Sequence, residues 1–98
     1  MTVEKRQNGE EVTLLVSGRV DTTNAKEFEN EVTAKMEGAK SLILDFAELE
    51  YISSAGLRVV LGIIKQMKNQ GTLAIKNANE MVKEIFEVTG FSDLVDME

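Results

Sequence analysis

The sequence predicts an α/β layer with a mixed sheet, and three observations lead to this fold class. Short strand-like segments alternate with longer segments whose apolar residues recur at helical spacing, in the order β-β-α-β-α-β-α. An Asn-Gly pair separates the first two strands, as it does in antiparallel hairpins. The later strands alternate with helices, and such right-handed crossovers join parallel strands. Residues 94–95 are a candidate for a final strand.

The strands are predicted from alternation and from apolar runs. Residues 2–6 form a weak strand before a turn at residues 7–10. In the next strand Val12, Leu14 and Val16 alternate with polar residues as in a half-buried strand, but Leu15 interrupts the alternation and leaves open a strand covered on both faces. Residues 41–46 form a continuous apolar strand, which is typical of a central strand in a sheet covered on both faces. Residues 73–75 form a short strand.

The first two helices follow from capping residues and apolar spacing. The first begins at Asn24, with Glu27 in a capping-box relation, and ends at Gly38. The second follows a connection at residues 47–56 and ends near Gly71. The residues predicted to point inward are Ala25, Phe28, Val32 and Met36 in the first helix and Leu57, Val60, Leu61, Ile64 and Met67 in the second.

The third helix begins at Asn77 or Asn79 and closes at Gly90. A Schellman turn at this glycine would pack Phe91 on Phe86. The residues predicted to point inward are Val82, Ile85 and Phe86.

Composition excludes most catalytic chemistry. The 98 residues include 11 basic and 17 acidic side chains, giving a net charge of −6, and contain no Cys, His, Pro or Trp. Without Cys and His there is no disulfide, thiol nucleophile, Ser-His-Asp triad, phosphohistidine or ordinary transition-metal site. The acidic balance argues against nucleic acid and against an anionic membrane surface. The longest apolar run is about six residues, against the ~20 that a bilayer span needs, so we expect a soluble, cytoplasmic protein.

No catalytic or phosphate-binding motif of the common kinds is present. The chain lacks a Gly-x-Ser-x-Gly elbow, a Ser-x-x-Lys pair and a glycine-rich phosphate loop. Asp21 and Asp45 both fall at the ends of predicted strands, so a paired-carboxylate or Mg²⁺ site is conceivable. The alternative is that both are exposed loop carboxylates or local caps. The sequence thus leaves open a small enzyme that would use Asp21, Asp45 and Ser54.

The most informative segment is the small tetrapeptide Ser53-Ser54-Ala55-Gly56, which opens the second helix. One serine is explained as an N-cap, because its hydroxyl accepts hydrogen bonds from the first helical N–H groups. The second serine, with the small residues after it, favours a different role. Small side chains let another molecule approach the backbone, and a helix start offers an exposed hydroxyl to a kinase.

The segment at residues 45–61 reads DFAELEYISSAGLRVVL and resembles the signature of STAS domains. These are the anti-sigma factor antagonists and the related domains of sulphate transporters. Weaker similarities lie at residues 18–21 and 89–94. The resemblance covers essentially the whole chain and implies a single STAS-like domain over residues 1–98. The fold it implies is a mixed, mostly parallel sheet of four to five strands with three or four helices packed mainly on one face.

The resemblance implies a binding switch rather than an enzyme, with no cofactor and no metal. The unphosphorylated protein would bind an anti-sigma factor that is also a serine kinase and so release a sigma factor. The kinase would phosphorylate Ser54, and a serine phosphatase would reverse this. Many phosphorylated members have Asp directly before that serine, and this chain has Ser53 there instead. The change removes one acidic group from the site and makes Ser53 a second candidate hydroxyl. The residues expected to bind the partner are Asp21, Thr22, Thr23, Ser53, Ser54, Ala55, Gly56, Leu57 and Arg58.

A phosphate at Ser54 is expected to act at the surface without unfolding the domain. It adds about −1.5 to −2 charges, and the positive end of a helix favours an anion there. Arg58 lies four residues on and either pairs with the phosphate or is a solvated charge. The resemblance implies a monomer when free. The alternative function is an unphosphorylated STAS subunit that braces another protein, such as a lipid-transport ATPase.

Overall fold

The computed structural model describes residues 1–98, which form a six-stranded sheet, three α-helices and one 3₁₀ turn at Phe91–Asp93. The strands are β1 (Thr2–Asn8), β2 (Glu11–Val20), β3 (Ser41–Asp45), β4 (Leu49–Ile52), β5 (Thr72–Lys76) and β6 (Asp96–Met97). The helices are α1 (Ala25–Lys35), α2 (Ser54–Lys68) and α3 (Glu80–Val88).

The sheet is mixed and mostly parallel, as predicted. β1 pairs antiparallel with β2 through a two-residue turn, in which Gly9 has a φ of +62°. All other pairings are parallel, and the strand order is β1-β2-β3-β5-β6. β4 pairs with the last residues of β2, after a shift of register between Gly18 and Arg19. The sheet has six strands where four to five were expected, because two short strands, β4 and β6, complete it.

The helices cover one face of the sheet, and alternation along the strands shows which face. Leu42 and Leu44 of β3 are buried, whereas Ile43 between them is only half-buried. β2 follows the same rule, with Leu14 buried and Leu15 half-buried. The prediction that β3 is covered on both faces is therefore wrong: its apolar run reflects one buried face and one partly open face.

The inward faces of the helices agree with the predicted spacing at most positions. In α1, Phe28 and Val32 are buried and Ala25 is half-buried, and Met36, which is also buried, is the C-cap that follows the helix. In α2, Ile63 is buried in place of the predicted Leu61, which is half-exposed. The reason is geometric. The buried stripe continues from Val60 by steps of three and four residues, and Leu61 lies about 100° around the helix from Val60.

Of the two candidates Asn77 and Asn79, Asn79 is the N-cap of α3, because its Oδ1 accepts a hydrogen bond of 2.8 Å from the Val82 N–H. Asn77 instead has a positive φ of 63° in the loop before it. Of the three residues predicted to point inward, Val82 and Phe86 are buried and Ile85 is half-exposed.

The end of α3 is confirmed and the last strand is corrected. Gly90 adopts a left-handed φ of +80°. The Phe91 ring packs edge-on against Phe86 with centroids 6.0 Å apart. The predicted strand at residues 94–95 is wrong, since these residues form a turn and a bend after the 3₁₀ turn. The last strand, β6, follows at Asp96–Met97 beside β5.

None of the helices combines the length and the apolar character that a bilayer crossing requires.

Candidate functional site

The turn from β4 into α2 is fixed to the edge of β2. Val20 and Ile52 are register partners, and the Ser53 N–H donates a hydrogen bond of 2.8 Å to the Val20 carbonyl. Helix α2 therefore begins immediately beside the end of β2, where Asp21 starts the loop into α1. Residues 47–56, predicted to be a connection without regular structure, contain strand β4 and the start of α2, so that prediction is wrong.

Ser53 is the N-cap of α2. Its backbone is extended, and its Oγ accepts a hydrogen bond of 3.3 Å from the Gly56 N–H. This is the bond by which a serine cap satisfies one of the first free N–H groups of a helix. The Ser53 side chain is half-buried and is used by the fold.

Ser54 is the first residue within the helix, and its side chain is exposed. Its hydroxyl has no hydrogen-bond partner within the chain. The first turn of α2 carries no acidic side chain, so no carboxylate offsets the positive end of the helix dipole. Ser54 thus presents a free hydroxyl at a position that favours a negative charge.

Gly56 and Leu57 lie beneath this surface. A Cβ on Gly56 would stand 2.6 Å from Cγ1 of Ile52 and 2.8 Å from Cγ1 of Val20. The glycine therefore lets α2 pack closely on β2 and β4, and it does not open the backbone to an outside molecule. Leu57 is buried in the core. Both residues are removed from the surface that a partner can touch, and Ala55 is half-buried.

Arg58 lies one helical turn after Ser54, on the same side of α2, and is exposed. It makes no ion pair with any acidic side chain of the protein. Its charge is available to a group attached to Ser54 or to a partner.

The loop from β2 to α1 is closed by Asp21. The Asp21 Oδ1 accepts hydrogen bonds from the Thr23 hydroxyl at 2.6 Å and from the Thr23 N–H at 2.9 Å. The Thr23 hydroxyl bond is the largest cause that lowers the pKa of Asp21 below its ordinary value, followed by the N–H bond, with a smaller contribution from Arg19. Thr22 and Thr23 are exposed, so the loop presents hydroxyl groups beside the start of α2.

Asn24 stands at the N-cap position of α1 but does not cap it. Its Oδ1 accepts from the Asp21 N–H and its Nδ2 donates to the Arg19 carbonyl, both at 2.9 Å. The predicted capping box with Glu27 is therefore wrong, since the Asn24 side chain makes no bond to the first turn of the helix. It holds the loop between β2 and α1 in place.

A pair that the sequence analysis missed borders the site. The Arg19 guanidinium lies over the Tyr51 ring, 4.7 Å from its centroid, in a cation–π contact. The two residues are register partners in β2 and β4. No local pattern announces the pair, because its geometry depends on the pairing of strands distant in sequence.

Asp21 and Asp45 do not form a common site. Asp45 is the register partner of Leu15, and Asp21 lies six residues further along the chain than Leu15, which is about 20 Å in an extended strand. The Asp45 Oδ1 instead accepts bonds from the Ala47 N–H and the Asn77 side chain. The paired-carboxylate hypothesis is wrong, and no group of three or more acidic side chains could hold a metal ion.

Two curated relatives align with much of the chain. A protein of Bordetella bronchiseptica, provisionally named the anti-sigma factor antagonist BtrV, is 42% identical over 78 residues, which are 78% of this chain and 67% of the relative. The anti-sigma-B factor antagonist of Bacillus subtilis is 26% identical over 98 residues, covering 99% of this chain and 90% of its own.

The fold and the family model agree with these relatives. The crystal structure of an anti-sigma factor antagonist from Mycobacterium paratuberculosis superposes with a TM-score of 0.89 at 16% identity, over 98% of this chain and 83% of that one. The family model of the STAS domain matches residues 2–98. With that match over nearly its whole length, the chain belongs to the STAS domain family.

Proposed function

We propose that the chain is an anti-sigma factor antagonist controlled by phosphorylation of Ser54. The unphosphorylated form binds an anti-sigma factor that is also a serine kinase, and this binding releases the sigma factor. Phosphorylation of Ser54 blocks the binding, and a serine phosphatase restores it. The names of the two curated relatives support the class of function.

The observation that carries the proposal is the different use of two adjacent hydroxyls. Ser53 is committed to capping α2, whereas the Ser54 hydroxyl is exposed and unbonded. A kinase must reach the Oγ and remove its proton as the phosphoryl group is transferred from ATP. Ser54 offers this access without loss of a structural bond. A phosphate on Ser53 would displace the cap, at a cost of about 0.5–2 kcal/mol.

The phosphate is tolerated by the fold for electrostatic reasons. It sits at the positive end of α2, where no acidic side chain of the first turn competes with it. Arg58 is one turn away and free of other ion pairs. The modified chain therefore stays folded, and its net charge moves from −6 towards about −8.

The switch acts by making this surface costly to bury. A partner that covers the start of α2 would have to desolvate a dianion that it was not shaped to pair. A thousandfold loss of affinity needs only about 4 kcal/mol. The surface that remains for the partner consists of the exposed or half-buried members of the site: Asp21, Thr22, Thr23, Ser53, Ser54, Ala55 and Arg58.

The test uses the candidate anti-sigma factor kinase from the same organism. The chain is incubated with this kinase and ATP, and its intact mass is measured. We expect one phosphate on the unaltered chain and on Ser53→Ala, and none on Ser54→Ala. Binding to the same kinase is then measured by pull-down. Ser54→Ala is expected to bind in all conditions and Ser54→Asp to lose binding.

Two outcomes would contradict the proposal. A phosphate that maps to Ser53, or normal binding by Ser54→Asp, would remove Ser54 as the switch. A stable complex that ignores ATP would favour the alternative, a STAS subunit that braces its partner constitutively.

A further inference from the structure

Helix α3 carries two of the three large apolar side chains that the structure leaves exposed. Met81 is 52% exposed and Val88 is 80% exposed; the third is Leu94, at 44%. The inward face of α3 is already filled by the buried side chains of Val82 and Phe86. The exposed residues are therefore additional to the core.

The exposed Met81 and Val88 form a row along α3 with Ile85, which is half-exposed and also packs against the core. Met81, Ile85 and Val88 are spaced by four and three residues, which places them on one side of the helix. With Glu84 and Thr89 they line a surface groove of about 300 Å³. The row has the spacing by which one helix anchors another.

A second row, of carboxylates, runs beside the first. Glu80, Glu84 and Glu87 have the same spacing, displaced by one residue, and Lys83 is the only cation among them. Three acidic groups and one basic group give residues 80–89 a net charge of −2. None of these four side chains takes part in an ion pair within the chain.

The carboxylate row is unfavourable for the isolated helix. Glu84 lies one turn from Glu80 and one turn from Glu87, and like charges at these spacings destabilise a helix. Glu87 also stands in the last turn, near the negative end of the helix dipole, where α3 has no basic residue. Lys83, one turn from both Glu80 and Glu87, and the first-turn position of Glu80 offset part of this cost. No carboxylate of the row forms an ion pair, however, so all three can pair with a group outside the chain.

The charges decide what kind of partner fits. An antiparallel pair of α3 helices from two copies would place the carboxylate row against itself. An anionic membrane surface would repel it. From the apolar row and the unpaired carboxylates together, we infer that α3 is a docking surface for a basic amphipathic helix, whose apolar residues fill the groove while Lys or Arg side chains pair with the glutamates. This surface goes beyond the proposed switch and does not depend on Ser54.

The test uses the full chain and two synthetic peptides. The first is a fluorescein-labelled peptide of about 18 residues, long enough to form a helix on binding, with leucines at helical spacing and lysines on both flanks. The second has glutamate in place of each lysine. Binding is measured by the fluorescence anisotropy of the peptide. The binding site is mapped by backbone amide NMR of the isotope-labelled full chain.

Three variants separate specific docking from general attraction. Val88→Ser removes an anchor and Glu84→Lys reverses one charge of the row. Glu37→Lys makes the same change of charge at an exposed residue that has no ion pair. We expect the basic peptide to bind saturably and to change the NMR chemical shifts of backbone amides in α3. The first two variants should weaken this binding at least about tenfold, as anchor residues do, and the third should have little effect.

Several outcomes would overturn the inference: no saturable binding of the basic peptide, equal binding of the acidic peptide, or equal effects of Glu84→Lys and Glu37→Lys. Dimerisation in sedimentation runs that Val88→Ser abolishes would assign the surface to a second copy. Sedimentation of the chain with vesicles of anionic lipid that Val88→Ser abolishes would assign it to a membrane.

Discussion

Ser53 and Gly56 close the first turn of α2, because the Ser53 Oγ accepts a hydrogen bond of 3.3 Å from the Gly56 N–H. Ser54, between them in sequence, is left free. The two neighbouring serines therefore differ in what they do for the fold, and this difference can be measured without any partner.

The first prediction concerns the stability of the two serine variants. Ser53→Ala should lower the free energy of unfolding by about 0.5–2 kcal/mol, through the loss of the cap. Ser54→Ala should change it by no more than about 0.5 kcal/mol, since an exposed hydroxyl without a partner is removed. Urea unfolding of both variants beside the unaltered chain tests this. A larger loss for Ser54→Ala would reverse the assignment of the two hydroxyls.

The second prediction compares two glycines of the same helix. Gly56→Ala forces a Cβ to within 2.6 Å of Ile52 Cγ1, so overpacking should cost about 1–3 kcal/mol of unfolding free energy. Gly62 is exposed in the middle of α2, and a Cβ there meets nothing within 4 Å. Gly62→Ala should instead stabilise the chain by up to about 1 kcal/mol, through better helix propensity.

Thermal and urea unfolding of the pair would check the sign of each effect. If Gly56→Ala were as stable as the unaltered chain, the close approach of α2 to β2 and β4 would be wrong. The interpretation of Gly56 as an opening for a partner would then return.

Periodicity and capping residues were enough to predict most of this fold. The inward positions of α1, the hairpin at Gly9 and the contact of Phe91 with Phe86 all depend on neighbours close in sequence. β4 could not be predicted in this way. Its two buried residues, Leu49 and Ile52, are separated by three positions, which breaks the alternation that marks a strand.

The site was harder to predict than the fold, because its details depend on contacts between distant segments. The sequence offered Asn24 as a helix cap, but its side chain bonds to Arg19 and Asp21 instead. The sequence pattern around Gly56 also could not decide whether this glycine faces the core or solvent. That depends on the residue at which α2 begins, and the pairing of β4 with β2 fixes this residue.

The third prediction concerns pH. The folded chain holds the pKa of Asp21 below its ordinary value of 3.8, chiefly through the Thr23 hydroxyl. A carboxyl group whose folded pKa is depressed adds stability that is fully present above its unfolded pKa, and this stability is lost as pH falls through the folded pKa. The contribution of Asp21 should therefore be complete at neutral pH, begin to fall near pH 4 and be gone only below the lowered folded pKa.

NMR titration of the Asp21 carboxyl group measures this shift directly. Thr23→Val removes the hydroxyl and keeps the shape of the side chain, so the Asp21 pKa should rise towards its ordinary value. Glu37→Gln, which changes an exposed carboxylate without an ion pair, should leave the Asp21 pKa unchanged. An Asp21 pKa that is the same with and without the Thr23 hydroxyl would contradict the assigned cause.

The fourth prediction concerns the phosphorylated form. A phosphate on Ser54 would lie at the start of α2 and one turn from Arg58, and both favour the dianion over the monoanion. Its second pKa should therefore lie below the value of about 6 that phosphoserine has in a peptide. In Arg58→Gln the second pKa of the phosphate should rise, but it should stay below about 6 because the N-terminal end of α2 still favours the dianion. Phosphorus NMR titration of the two modified chains gives both values.

Lys65→Gln is the matched control, because it removes an exposed cation from the last turn of the same helix. Lys65→Gln should leave the second pKa of the phosphate unchanged at physiological ionic strength. Lys65 lies eleven residues along the helix from Ser54, and exposed charges separated by more than about 8 Å are largely screened from each other. Equal shifts in Arg58→Gln and Lys65→Gln would show that only the net charge matters. No shift in Arg58→Gln would mean that Arg58 is a solvated charge, and that the end of α2 alone receives the phosphate.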